Sequence, residues 1–283
     1  MLSVPSETVL QLGCGLIAFG PFAVFFNVIV AARSQLVIIA IISAFFWLLS
    51  AVTSGLLWSI VPSLQSSWII ITTVGVLIQE AYRIALLRVV FRVEAYLKAK
   101  LGSSPETEEA MPLNDLTTAL AAGCGFGAAH AAVHLGGPLA AAAGPGTAYP
   151  DQCPGVPLVL LQALLALAFG ALDVCLTVMA ARALRQTGGA RAALLAAAAG
   201  WHLAAAGMTV LNTLPEGCIA TVILEGGVVF WVVYYTKGIA ARNMFPIREE
   251  LVSPYYPDGD HKPEADVLSR QKNHSNTFTV MKN

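Results

Sequence analysis

The sequence predicts an all-α membrane protein of seven transmembrane helices, with the N-terminus lumenal or extracellular and the C-terminus cytosolic. Two observations carry this prediction: seven apolar runs of spanning length, and the sorting of the basic residues to one side of them. The runs cover 8–30, 35–61, 68–90, 115–137, 156–181, 190–212 and 217–240. Each holds about 20 residues or more, enough to cross a hydrocarbon core about 30 Å thick at about 1.5 Å per helical residue. Backbone polar groups must be paired inside lipid, so runs of this length are helices.

Seven spans leave eight terminal or connecting pieces that alternate between the two sides. All 16 Lys and Arg fall on one set of pieces. Arg33 lies in the first turn, and Arg83 through Lys100 lie around the end of span three. Arg182, Arg185 and Arg191 follow span five, and Lys237 through Lys282 follow span seven. The N-terminus, 62–67, 138–155 and 213–216 carry none. The positive-inside rule then sets the orientation stated above, and only an odd number of spans preserves the alternation.

A mean hydropathy of +0.70 with 12% charged residues excludes the soluble classes. No secretory leader is evident, so the first span is expected to remain as an anchor. The chain divides into a bundle, 1–240, and a polar tail, 241–283, with Pro246, Pro254, Pro257 and Pro263 among charges and disorder as the expectation. Segment 94–114 is expected to begin as a cytosolic extension of the third helix. Segment 138–155, rich in Gly and Pro, reads as irregular loop. Gly20-Pro21 removes a backbone donor and should kink span one. Cys14, Cys124 and Cys175 sit inside spans, where a thiol simply packs. Cys153 and Cys218 share the lumenal side and can pair in an oxidising compartment. The sequon at Asn273 faces the cytosol on this topology and should stay unmodified.

Ionisable groups inside spans are costly and raise the question of a site. Glu80 and Arg83 in span three are spaced i, i+3 and can form a local ion pair, while Arg83 can also snorkel to the cytosolic end. Asp173, His202 and Glu225 lie in spans five, six and seven. At about 1.5 Å per residue, His202 is about 15 Å and Glu225 about 12 Å from their lumenal helix ends. Those two can meet at one level, whereas Asp173 lies about 10 Å further toward the cytosol, which argues against a tight triad. Mutual pairing within the bundle and a water-filled proton relay are the two readings of these groups. His130 and His134 have the i, i+4 spacing of a metal-binding pair, but only Asp151 or Cys153 could complete a zinc site, so interhelical hydrogen bonds are the simpler use. No metal or cofactor is expected. Span four carries Gly123, Gly127 and Ala131 at four-residue spacing, a groove that admits a close helix neighbour.

These residues exclude several seven-span functions. No Asp-Arg-Tyr follows span three and no Asn-Pro-x-x-Tyr closes span seven, so a receptor is not indicated. Lys237 lies at the end of span seven, not mid-span where a retinal Schiff base needs it. An intramembrane aspartyl protease needs two facing aspartates, and only Asp173 lies within a span. Inverted repeats, the mark of many transporters, are not found. A non-catalytic bundle built to pack against other membrane helices remains. The alternative is a transporter-like protein with a polar cavity around His202 and Glu225.

The chain resembles the anterior-pharynx-defective subunit of gamma-secretase. The matching pieces begin with Gly13-Cys14 and Ala18-Phe19-Gly20-Pro21 in span one, and Ala44-Phe45-Phe46-Trp47-Leu48 in span two. Span three adds Leu77-Ile78-Gln79-Glu80 and Tyr82-Arg83. Span four adds Gly123 through Gly127, with Gly144-Pro145-Gly146 beyond it. Gly200-Trp201-His202-Leu203 leads into Gly207 through Asn212 in span six. The resemblance implies a scaffold subunit that joins presenilin, nicastrin and the presenilin enhancer in membranes of the endoplasmic reticulum, Golgi, cell surface and endosomes. Presenilin would supply the two catalytic aspartates that cut single-span stubs of the Notch and amyloid-precursor type. No nucleic-acid partner is implied. The family's Gly-x-x-x-Gly-x-x-x-Gly falls on Gly123, Gly127 and Ala131, the last a departure that stays small. Of the family's pair of membrane histidines, the second matches His202 and the first falls on Asp173. Glu225 is unlike the family.

Overall fold

A computed structural model describes residues 6–101, 115–141 and 147–241. Among them, seven helices are long and apolar enough to cross a membrane. Helix α1 (Ser6–Phe25) runs through Pro21 and widens into a π-turn at Phe26–Val30. Helix α2 (Ser34–Ile60) is followed by the single turn α3 (Pro62–Gln65), where Pro62 occupies the first turn and its missing N–H costs nothing. Helix α4 (Trp68–Leu101) continues without a break past the membrane-spanning stretch, as the extension expected from 94 onward requires. Helices α5 (Asp115–Ala141) and α6 (Leu158–Leu184) follow. Helix α7 (Gly188–Met208) tightens into a 3-10 turn at Thr209–Thr213, and α8 (Gly217–Ala241) closes the bundle.

One boundary differs from the sequence expectation. Helix α5 carries Pro138 inside it and extends to Ala141, so 138–141 is helical and not loop. Proline is tolerated in a membrane helix when neighbouring groups re-satisfy the freed carbonyl. The turn between α6 and α7 is only a few residues long, and Gly188 at its end has φ +61°, a left-handed conformation that glycine adopts without a Cβ penalty. The tail, the Gly144-Pro145-Gly146 stretch and Asn273 lie outside the described residues.

Helices α5 and α6 form the centre. Of their most apolar stretches 56% is buried, against 33% or less in the other spans. Helix α5 is sandwiched between α2 and α6, while α4, α7, α1 and α8 pack around α6. Glycines set the closeness of this sandwich. A Cβ on Gly123 would lie 2.7 Å from the Val174 Cα, one on Gly127 would strike the Gly170 carbonyl, and one on Gly125 would strike the Ala40 carbonyl on the opposite side. Close approach lets Ser43 of α2 donate its hydroxyl hydrogen to the Ala122 carbonyl of α5. Ala131 is fully buried.

At the basic end, Arg185 just beyond α6 pairs with Asp115 of α5 at 2.5 Å and with Glu94 of α4 at 3.6 Å. The Arg185 guanidinium also lies 4.0 Å from the centre of the Phe91 ring. At the end that lacks Lys and Arg, Cys153 and Cys218 form a disulfide between the loop preceding α6 and the start of α8.

Candidate functional site

A chain of charged and polar side chains runs through the middle of the bundle. It starts on α4, where the three-residue spacing puts Glu80 and Arg83 on one face and their side chains pair at 3.2 Å. Arg83 does not snorkel to the interface as the sequence allowed. It is fully buried and points into α6, because a carboxylate, a carbonyl and a hydroxyl there supply acceptors that water would otherwise provide. Its Nη2 lies 2.5 Å from the Asp173 Oδ1. Its Nη1 donates to the Asp173 carbonyl at 2.8 Å and to the Thr177 hydroxyl at 2.7 Å. The guanidinium plane rests on the Phe126 ring of α5, 4.3 Å from its centre. All three guanidinium nitrogens are thereby engaged.

Two imidazoles close the chain. His130 Nδ1 lies 2.7 Å from the second Asp173 oxygen, and His202 Nδ1 lies 2.7 Å from the second Glu80 oxygen. A carboxylate held by a guanidinium only accepts, so each imidazole donates from Nδ1. The His130 ring stacks on Trp47 of α2 with centroids 4.9 Å apart, and His134 stacks on Phe169 of α6 at 5.8 Å. Five spanning helices therefore contribute: α2 by stacking, α4, α5, α6 and α7 by hydrogen bonds.

The depth count along separate helices missed this connection. Asp173 and His202 do belong to one cluster, because the Glu80 and Arg83 side chains bridge their different levels. His202 and Glu225, placed at one level by the same count, are not paired: His202 hydrogen-bonds Glu80. Glu225 is buried on α8 with no hydrogen-bond partner for either oxygen among the described residues. His130, for which the sequence favoured an interhelical hydrogen bond over a metal, makes one, to Asp173 of α6; the sequence did not indicate which partner it would meet. Asp173 thus has an imidazole beside it, supplied by α5. Thr177 carried no sequence signal, and Trp47 entered only as part of the run Ala44 through Leu48.

The small-residue stripe and the polar chain are one construction. Gly123 and Gly127 bring α5 against Val174 and Gly170, the residues flanking Asp173 by one and three positions on α6. That approach puts His130 within hydrogen-bond reach of Asp173. As chemistry, the arrangement is closed: both oxygens of Glu80 and both of Asp173 are occupied by Arg83 and the histidines.

The profile of the family described as "Aph-1 protein" matches residues 9–243, almost the whole bundle. The chain belongs to the Aph-1 family. Its similarity to the Arabidopsis thaliana "Gamma-secretase subunit APH1-like" is 28% identity over 217 residues, 75% of this chain and 85% of that one. It is 33% identical to the Danio rerio "Gamma-secretase subunit Aph-1b" over 144 residues and 34% identical to the Drosophila melanogaster "Gamma-secretase subunit Aph-1" over 135 residues. In both animal cases the match spans 48% of this chain and about half, 54%, of the relative. These Aph-1 relatives are named as subunits of gamma-secretase, which supports a role for this Aph-1 chain in that complex.

Proposed function

We propose that this Aph-1 chain is a non-catalytic scaffold subunit that stabilises gamma-secretase during assembly, in contact with presenilin, nicastrin and the presenilin enhancer. The complex would process single-span substrates of the Notch and amyloid-precursor type in membranes from the endoplasmic reticulum through the Golgi to the cell surface and endosomes. The observation that carries the reading is the closed polar chain. Aspartyl-protease chemistry needs a carboxylate pair free to activate water, and here both oxygens of Glu80 are taken by Arg83 and His202 and both oxygens of Asp173 by Arg83 and His130. Such a cluster specifies one arrangement of helices, which is the property a scaffold requires.

The proposed orientation puts the N-terminus in the lumen and the C-terminus in the cytosol. Two separate features support it. The Lys and Arg residues lie on alternate connections, and the disulfide lies at the opposite end, where an oxidising compartment would be. The transporter-like alternative needs His202 and Glu225 around one cavity, and their separate environments weigh against it. Affinity purification from membranes in a mild detergent, followed by mass spectrometry, tests the proposal. Presenilin and nicastrin should co-purify. Their absence would remove the scaffold reading.

A further inference from the structure

Near its basic end, one face of α4 presents bases and no acids. Arg88, Val89, Arg92, Val93, Tyr96 and Lys100 are all exposed and recur at three- and four-residue spacing, so they form a single stripe. The two carboxylates of this helix are turned the other way. Glu80 pairs with Arg83 and His202, and Glu94 lies 3.6 Å from Arg185. Arg83 and Arg185 are engaged further within the bundle, by Asp173 and Asp115. Among the described residues, no carboxylate reaches Arg88 or Arg92.

Depth decides what this stripe meets. Trp68, half exposed at the start of α4, belongs with the indole rings that settle at a membrane interface. At about 1.5 Å per residue, Arg88 lies about 30 Å and Arg92 about 36 Å along the helix from it. With a hydrocarbon core about 30 Å thick and a headgroup layer of about 5–7 Å on each side, both guanidiniums fall among the phosphates of the far leaflet. Lys100, about 48 Å along, lies beyond that layer. Its ammonium sits 5.9 Å from the centre of the Tyr96 ring. Val89 and Val93, 45% and 52% exposed, alternate with the arginines and offer the acyl chains an apolar surface beside the charges. A guanidinium donates two parallel N–H bonds to one phosphate, and a headgroup of net negative charge is attracted where a zwitterionic one is not.

We propose that Arg88 and Arg92 form a binding site for the headgroup of an anionic phospholipid. The proposed orientation enters only in naming the leaflet: with this end cytosolic, the site faces the leaflet that carries the anionic lipids. The competing cover is the chain's own segment 102–114, which carries Glu106, Glu108 and Glu109. It leaves α4 about 20 Å beyond Arg88 and has to turn back into the headgroup layer to reach it, whereas lipid phosphates are already at that depth.

The test uses the full chain in vesicles of phosphatidylcholine with a minor share of phosphatidylserine in both leaflets, so neither orientation nor partner subunits affect it. A photoreactive benzophenone amino acid is placed at Val89, and lipid adducts are identified by peptide-resolved mass spectrometry. The ratio of phosphatidylserine to phosphatidylcholine adducts should exceed the bilayer ratio about tenfold, the scale expected for two arginines near the surface. Arg88→Gln/Arg92→Gln should bring it down to the bilayer ratio, whereas Arg88→Lys/Arg92→Lys, which keeps both charges, should retain most of the enrichment. A benzophenone at Ile223 instead, exposed on α8 toward the opposite leaflet, should give the bilayer ratio in every variant. The bilayer ratio at Val89 in the parent would overturn the proposal, as would enrichment that survives the loss of both arginines. Enrichment that appears only once Glu106, Glu108 and Glu109 are replaced by Gln would overturn it too, and would assign the stripe to the chain's own acidic segment.

Discussion

Arg83 illustrates how a single side chain decides the geometry of several helices. Its guanidinium is fully buried and hydrogen-bonded to Glu80, Asp173 and Thr177, so removing it strands two carboxylates away from water. Arg83→Met should therefore destabilise the protein by about 3–5 kcal/mol, the usual cost of breaking a buried ion pair from one side. Thr177→Val, which removes one neutral acceptor of the same guanidinium, should cost about 1 kcal/mol. Thermal unfolding in detergent would order the two, and equal effects would contradict the central place given to the charge. His202→Leu leaves one Glu80 oxygen without its donor. Its expected outcome is a lower yield of assembled complex with normal activity per complex. Full assembly with reduced proteolysis would instead indicate a role in the reaction. The Glu80–Arg83 pair was legible in the sequence because i, i+3 spacing is local. The pairing of Arg83 with Asp173 was not, because it depends on which faces of α4 and α6 oppose one another.

At the scale of the helix, α5 shows what glycine does where no hydrophobic effect drives association. The Gly123→Leu substitution places its Cβ 2.7 Å from the Val174 backbone, which cannot swing aside as a side chain would. The α5–α6 crossing must open, at a cost of about 1–3 kcal/mol or more. Recovery of presenilin and nicastrin in mild-detergent pull-downs should fall with it. Gly136→Leu is the matched control, since nothing lies within 4 Å of a Cβ there. If both substitutions behave alike, close packing of this helix is not what matters. The four-residue stripe was readable from composition and spacing. Gly125, which meets Ala40 of α2 on the other side, was not part of that stripe, and a second contact face is invisible to a one-face pattern. The extent of α5 was misjudged for a related reason: Pro138 reads as a breaker, yet a membrane helix carries it.

For the whole molecule, the alternation of basic and base-free connections and the lengths of the apolar runs were sufficient to place all seven spans, because lipid leaves the backbone few choices. The polar interior was beyond the same reasoning, since each buried group depends on tertiary neighbours. The proposed orientation predicts that Asn273 carries no glycan, whereas a sequon introduced near Tyr149, before α6, is glycosylated in cells. The reverse pattern on a deglycosylation gel would invert the topology. The most direct measurement of the scaffold claim is complementation in cells deprived of their own Aph-1 subunit. With this chain restored, presenilin and nicastrin should co-purify and cleavage of a Notch-type single-span stub should resume, and Arg83→Met should weaken both together. Cleavage that stays absent although the chain reaches the membrane, correctly folded and in normal amount, would contradict the account.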